Sequence, residues 1–216
     1  MAEANRAIVA EQFADADQQN ESATLGMWTF LATEVLFFGV LFASYTVCRI
    51  RWPNAFRAGS LDLKWYLGAI NTAVLLFSSF SMAMAVRFAA LGDSRRIIRA
   101  LLATIALAVV FLVIKGTEYS IEWHEQLVPW LNYSSDGGLR PPQEELFMSF
   151  YFTMTAIHAL HMIIGIGIML VLIWMTRRGR FSADWHSPVE MTGLYWHFVD
   201  VVWVFLFPVL YLLRNP

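Results

Sequence analysis

Two pairs of ionisable residues, each three positions apart, stand inside apolar stretches of the sequence. His158 and His161 occur in FTMTAIHALHMIIGIGIML, and His197 and Asp200 occur in YWHFVDVVWVFLFPVLY. Residues three apart share one face of a helix, so each pair can act together or contact another helix. A histidine pair is compatible with a metal or haem, but such sites usually need three or four ligands. Interhelical hydrogen bonding is therefore favoured for the histidines, and no metal site is predicted.

Glu34 is the most isolated ionisable residue. It lies about nine residues into the apolar stretch LGMWTFLATEVLFFGVLF, roughly 14 Å deep at about 1.5 Å per residue. A charged side chain at this depth costs on the order of 2.5–3.5 kcal/mol on insertion scales. No base lies within one helical turn of it. Two interpretations stay open: a structural carboxyl hydrogen-bonded to another helix, or a site for protons, lipid or a gas channel.

Five further ionisable residues lie in FLVIKGTEYSIEWHEQ. Lys115 and Glu118 are three apart, which predicts an ion pair on one helix face. Glu122, His124 and Glu125 have a spacing compatible with metal binding, but they are expected in an exposed acidic loop. Solvated charge is the favoured interpretation there.

The elements that must position these groups are membrane helices. The chain has 216 residues, of which 58% are hydrophobic and 15% charged, and a mean hydropathy of +0.53. A helix needs about 20 residues to cross a hydrocarbon core about 30 Å thick. Five stretches are long enough: Leu25–Cys48, Lys64–Phe88, Ile97–Tyr119, Leu146–Thr176 and Met191–Leu213. The predicted fold is an all-α, polytopic bundle of five transmembrane helices.

Small and polar residues within these stretches predict close helix contacts. Interhelical hydrogen bonds are expected from Asn71, Thr72, Ser78 and Ser79, and close helix approach at Gly165 and Gly167. The single cysteine, Cys48, excludes an intramolecular disulfide and a CxxC motif.

The remaining sequence defines the domain organisation. Residues 1–24 are polar and acidic and lack the apolar core of a cleaved signal peptide, so they are predicted to form an N-terminal cytoplasmic tail. Residues 25–216 form one transmembrane domain. The net charge is −2 and the basic residues are scattered, which gives no indication of a nucleic-acid partner.

Arginines indicate the orientation of the bundle. The second loop is bordered by Arg87, Arg95, Arg96 and Arg99, and the fourth loop contains Arg177, Arg178 and Arg180. Cytoplasmic loops carry an excess of Lys and Arg, so these two loops are predicted to be cytoplasmic. The third loop is acidic and suits the outside, whereas the first loop, which is also basic, argues against this orientation. The N-terminus is predicted to be cytoplasmic and the C-terminus periplasmic or outside.

Five segments, in order, resemble subunit III of the haem–copper terminal oxidases. They are LGMWTFLATEVLFFG, NTAVLLFSS, GTEYSIEW, HALHMIIGIG and YWHFVDVVWVFLF, and together they extend over nearly all of residues 25–213. By this resemblance Glu34 is the family's buried carboxylate, and Arg177, Arg178 and Arg180 match the place where lipid head groups are held. The other polar residues of the motifs are Glu118, His158, His161, His197 and Asp200.

The resemblance implies an accessory protein in a bacterial inner membrane. Family members hold no haem or copper, which belong to the partner subunits. They lie directly against subunit I, with subunit II and in some cases a small subunit IV in the same complex. They bind phospholipids, support proton uptake, and protect the catalytic site from inactivation during turnover. The complex reduces O2 to water and pumps protons, but this chain itself is expected to carry no active site.

The number of spans and the residue at position 34 both bear on this expectation. Seven-helix members have two additional N-terminal spans that form one wall of a lipid-holding cleft, so a partner would have to supply that wall here. Five-helix forms occur in cytochrome c oxidases and quinol oxidases. Glutamate rather than aspartate at position 34 favours a cytochrome c oxidase.

Other functions remain open at this stage. Within the family, the chain could belong to a quinol oxidase or a nitric oxide reductase. A proton or ion transporter is an alternative of another class, although the repeated, broken helices common in transporters are not seen. A metalloenzyme built on His158 and His161 is a further alternative.

Overall fold

The computed structural model describes residues 12–129, 131, 133, 142–182 and 185–213. These residues form six helices: α1 (Ala16–Arg51), α2 (Pro53–Asp62), α3 (Trp65–Ala90), α4 (Ser94–His124), α5 (Pro142–Arg177) and α6 (Ser187–Tyr211). All except α2 are long and apolar enough to cross a membrane. The prediction of an all-helical, polytopic membrane protein is confirmed.

The helices extend beyond most of the predicted spans. The first begins at Ala16, inside the stretch assigned to the tail, where the Asp15 carboxylate accepts a 2.7 Å hydrogen bond from the Gln18 backbone N–H. That bond satisfies one of the free N–H groups at a helix start. Helix α2 was not predicted. It begins at Pro53, because the first turn of a helix tolerates a residue without an N–H donor.

The centre of the bundle is α6, the most buried of the five long helices, which packs against α1, α3 and α5. Helix α3 lies along α4, α4 also contacts α5, and α2 packs on α5. The least buried long helix is α1, which is held mainly by α6. Most of the α1 surface is therefore open to lipid or a partner.

Polar contacts join α3 to α6. The indole Nε1 of Trp196 donates to Ser78 Oγ at 3.1 Å, and that of Trp203 donates to Thr72 Oγ1 at 3.1 Å. Ser79 also bonds to α6, but the buried Asn71 side chain makes no hydrogen bond within the described structure. The expected interhelical bonds form at three of the four positions.

Close packing of α5 on α6 depends on one glycine. A Cβ atom at Gly165 would lie 2.7 Å from Cζ3 of Trp196, whereas one at Gly167 would meet nothing within 4 Å. Trp196 is fully buried in this contact. The predicted close helix approach therefore occurs at Gly165 and not at Gly167.

The C-terminal end of α6 is fixed by hydroxyl donors from two other helices. Tyr45 Oη of α1 donates to the Val209 carbonyl at 2.8 Å, and Ser60 Oγ of α2 donates to the Leu210 carbonyl at 2.8 Å. The last carbonyls of a helix have no partner within it, so these donors satisfy groups that are buried here. This contact gives α2 a structural role.

Candidate functional site

Glu34 meets a histidine of another helix. Its Oε2 lies 3.2 Å from Nε2 of His161 on α5, and the two side chains are only 18% and 13% exposed. Helix α5 therefore supplies the partner that Glu34 lacks on its own helix. Tyr195 adds a third helix, α6, by donating from Oη to the His161 backbone carbonyl at 2.9 Å.

The hydrogen bonds of His161 restrict where its protons lie. Nδ1 is 2.8 Å from the carbonyl oxygen of Ile157. A carbonyl oxygen can only accept, so Nδ1 carries a hydrogen. Nε2 then either accepts a hydrogen bond from a neutral Glu34 acid or donates one to its carboxylate. In both states the pair is neutral overall and holds one proton between two helices.

A second cluster surrounds Lys115 near the end of α4. Its ammonium group donates to Glu118 Oε2 at 2.9 Å, to Tyr151 Oη at 2.8 Å and to Tyr211 Oη. Tyr211 in turn donates to Glu118 Oε1 at 2.7 Å. The predicted ion pair on one face of α4 is confirmed, and it is buried, with side chains 3% and 1% exposed. Three hydrogen bonds satisfy all three ammonium protons, which offsets much of the cost of burial.

The expectation of a solvated acidic loop is wrong for Glu122. Helix α4 continues to His124, and Glu122 is buried at 3% exposure, whereas His124 and Glu125 are exposed. Neither carboxylate oxygen of Glu122 makes a hydrogen bond in the described structure, although the Tyr151 hydroxyl is close to it. The cluster therefore contains two carboxylates and one ammonium group.

His158 has an apolar environment. Its ring centroid lies 5.5 Å from that of Phe111 and 5.2 Å from that of Trp203, and neither ring nitrogen is hydrogen-bonded to any residue that the structure describes. The expected interhelical hydrogen bond forms for His161 but not for His158. In the part of the chain described, no three His, Cys, Asp or Glu side chains are grouped closely enough to hold a metal.

His197 and Asp200 do not bond to each other. His197 Nδ1 lies 2.8 Å from Ser79 Oγ of α3, and the buried Asp200 carboxylate makes no hydrogen bond in the described structure. The spacing predicts that His197 bonds either to Asp200 or to another helix, and in the structure its partner is Ser79 of α3.

The three arginines after α5 are exposed. Arg177 ends the helix, and Arg178 and Arg180 follow in the turn. The Arg178 guanidinium lies 4.0 Å above the ring of Trp174, a side chain that is 49% exposed. No carboxylate in the described ranges pairs with the three arginines. An indole and free guanidinium groups at a helix end are suited to the interface of a membrane.

The sequence did not indicate which distant residues complete these clusters. Tyr151 and Tyr211 carry no distinguishing signal in the sequence, because aromatic residues are common in membrane helices. For Ser79 the sequence predicts only a general interhelical hydrogen bond. The available signal was the presence of ionisable residues without a local partner, which predicts that partners exist but not where they lie.

Comparison with known proteins identifies the family. A family model described as cytochrome c oxidase subunit III matches residues 139–214. The chain is 34% identical over 204 residues to cytochrome c oxidase subunit 3 of Thermostichus vulcanus, which covers 93% of this chain and 92% of that protein. The chain belongs to the cytochrome c oxidase subunit III family.

More distant members of the subunit III family also match most of the chain. A probable cytochrome c oxidase subunit 3 of Mycobacterium leprae is 29% identical over 196 residues, 88% of each chain. Cytochrome c oxidase subunit 3 of Bos taurus is 32% identical over 194 residues, 86% of this chain and 67% of the bovine protein. Membership of the subunit III family places the chain in a complex with other oxidase subunits. The predicted resemblance is confirmed.

Proposed function

We propose that this chain is a non-catalytic accessory subunit of a haem–copper terminal oxidase, most closely a cytochrome c oxidase, in a bacterial inner membrane. The observation that carries the proposal is the match to a named subunit 3 over almost the full length of both proteins. In this proposal subunit I is the direct partner, with subunit II and a small subunit IV in the same complex. Haem and copper belong to the partner subunits. The N-terminus is cytoplasmic and the C-terminus is outside.

The surface of α1 supports a role in covering another subunit. Only Leu31, Phe38 and Tyr45 of this 36-residue helix are buried in the bundle. Its outward residues include Val35, Leu36 and Val40, all more than half exposed. Covering the apolar flank of the catalytic subunit would limit structural relaxation around its proton entrance and metal site.

Lipid binding is supported by two features of the bundle. An apolar groove of about 260 Å³ runs between α1 and α6, lined by Phe38, Phe42, Phe198 and Phe205 among others. Such a groove suits an acyl chain. Arg177, Arg178 and Arg180 offer guanidinium groups, which bind phosphate oxygens with two parallel donors.

The Glu34–His161 pair supports a role in proton supply. It holds one proton at mid-membrane depth, and both side chains retain some exposure. The change Glu34→Ala is expected to leave recovery of the complex nearly intact while lowering its steady-state rate of proton uptake. Glu21→Ala removes an exposed carboxylate from the same helix and is the control. Loss of recovery in Glu34→Ala alone would assign the pair a structural role instead.

Co-purification tests the proposed assembly. The tagged full chain is extracted in a mild detergent, and the proteins bound to it are identified by mass spectrometry, with an unrelated tagged polytopic protein as the control. Recovery of oxidase subunits I and II supports the proposal, and the identity of subunit II distinguishes cytochrome c from quinol as electron donor. Recovery of nitric oxide reductase subunits favours that alternative. Recovery of the chain alone contradicts the subunit role and favours a transporter.

The protective role has its own test. An oxidase purified without this subunit is expected to start at a nearly normal rate and to lose activity sooner during turnover. Activity is followed to inactivation in matched preparations with and without the chain. Equal lifetimes would contradict a protective function.

A further inference from the structure

An open pocket lies at the end of the bundle where α1 and α6 begin and α3 ends. Its volume is about 450 Å³, and its lining includes Thr24, Val86, Glu190 and His197. This pocket is more polar than the apolar groove between α1 and α6, and it is wide enough for several water molecules. His197 is the residue of this lining that is placed deepest along α6.

His197 connects the pocket to the interior of the bundle. Its ring is half-buried, and Nδ1 lies 2.8 Å from Ser79 Oγ on α3. An imidazole has two nitrogens that can each carry a proton, and a hydroxyl can accept one hydrogen bond while it donates another. This contact therefore has the chemical groups that a proton transfer requires.

Asp200 lies at the inner end of this contact. It is 5% exposed, and neither of its oxygens makes a hydrogen bond in the described structure. The Ser79 hydroxyl is close to it without the geometry of a hydrogen bond, so the serine side chain must turn from His197 toward Asp200 to pass a proton. An ionised carboxylate buried without a partner costs several kcal/mol, which favours the neutral acid here. A neutral acid next to a hydroxyl can exchange its proton through that hydroxyl.

A purely structural role does not account for the carboxyl group. The bond between His197 and Ser79 would join α6 to α3 without any acid at position 200. A buried polar group that lacks a partner lowers stability, and an apolar residue of similar size would pack there without that loss. The carboxyl group is therefore better explained by proton exchange than by packing.

We propose that His197, Ser79 and Asp200 form a proton relay that connects the open pocket to the buried Asp200 carboxyl group. A proton from pocket water forms an N–H bond at Nε2 of His197, and the N–H bond at Nδ1 breaks as its proton passes to Ser79 Oγ. The Ser79 O–H bond breaks in turn, and an O–H bond forms on the Asp200 carboxylate, which has released its own proton to pocket water by the same steps in reverse. One proton leaves and one returns, so the Asp200 acid exchanges its proton with no change in oxidation state. The relay is a property of this chain, and only the use of its proton by an oxidase depends on the proposed function.

Infrared spectroscopy of the full chain in lipid nanodiscs tests the relay. The carbonyl stretch of the protonated Asp200 acid is assigned by its loss in Asp200→Asn and by its shift after isotopic labelling of aspartate. The sample is then transferred from H2O to D2O, and the rate at which this band shifts reports proton exchange. Ser79→Ala is expected to slow the exchange at least about tenfold, because direct hand-over is removed. His197→Gln is expected to slow it similarly.

A neighbouring serine provides a matched control. Ser78 lies on the same helix and accepts a 3.1 Å hydrogen bond from Nε1 of Trp196 on α6. Ser78→Ala therefore removes one α3–α6 hydrogen bond without interrupting the relay, and its exchange rate should equal that of the unmodified chain.

Two results would overturn the relay. One is the absence of any protonated carboxyl band that depends on Asp200, and the other is an equal exchange rate in Ser79→Ala and Ser78→Ala. Neither result depends on oxidase assembly. Failure of the chain to co-purify with oxidase subunits would instead contradict the proposed function and leave the infrared result standing.

Discussion

The phenol of Tyr211, the last residue of α6, donates a 2.7 Å hydrogen bond to the Glu118 carboxylate near the end of α4. The two residues are 93 positions apart in the sequence. Through this bond and the Lys115 ammonium group, α4, α5 and α6 are joined at one buried point. A contact of this kind fixes the end of the central helix.

Removing the phenol oxygen should loosen this point. Tyr211→Phe deletes the donor to Glu118 and one acceptor of Lys115, and is expected to destabilise the chain by about 1.5–3 kcal/mol, the range for bonds to charged groups. Thermal unfolding in a fixed detergent measures the change. Tyr66→Phe removes an exposed phenol from α3 and should have no effect. Equal melting temperatures for the two variants would contradict the buried contact.

The Lys115 ammonium group should be stabilising only while its carboxylate partner is charged. Lys115→Met leaves Glu118 as a buried charge without a cation and is expected to cost about 3–5 kcal/mol. Adding Glu118→Gln removes that charge and keeps an acceptor for Tyr211, so the double variant should be more stable than Lys115→Met alone. Thermal unfolding of both single variants and the double variant measures the coupling. If the loss of stability in the double variant equals the sum of the losses in the two single variants, the coupling is contradicted.

Two glycines of α5 should respond in opposite ways to the same change. Gly165→Ala places a methyl group against the Trp196 ring and is expected to cost about 1–3 kcal/mol through overpacking. Gly167→Ala meets no neighbour, so it should be neutral or stabilising by up to about 1 kcal/mol through higher helix propensity. Melting temperatures of both variants test this. A similar loss at both positions would mean that α6 does not pack closely at Gly165.

An exposed ion pair should add a small alkaline dependence to stability. Lys64 Nζ lies 2.9 Å from Glu125 Oε1, and this hydrogen bond raises the pKa of Lys64 above its ordinary value of 10.5. A raised pKa means that the folded chain holds this proton more tightly than the unfolded chain. The stabilisation from this ion pair is therefore present below pH 10.5 and is lost as the pH rises through the higher pKa of Lys64 in the folded chain.

The change Glu125→Gln isolates this contribution. The difference in melting temperature between it and the unmodified chain should be small near pH 8 and should shrink as the pH rises above 10.5 and Lys64 loses its proton. Added salt should reduce the difference at the lower pH, because the pair is exposed. A difference that grows with pH would contradict the assignment.

Local composition was sufficient to predict the five long helices. The cost of placing polar backbone in hydrocarbon depends on the length and apolarity of each stretch, and both can be counted in the sequence. The exact ends were less predictable. Ala16 begins α1 inside a polar stretch, and α2 is too short to have a hydropathy signal. The prediction that Glu122 lies in an exposed loop failed because the end of α4 was placed too early. The helix continues by about one turn, which turns Glu122 into the bundle.

The sequence by itself determined the membrane class, the five spans, the family motifs and the set of ionisable residues that need an explanation. Only the tertiary structure decided which of them meet: Glu34 with His161, Lys115 with Tyr211, and His197 with Ser79. The reason is physical. Burial in a membrane is a local property of a segment, whereas a hydrogen bond between helices depends on their relative rotation and depth, which the packing of the whole bundle sets.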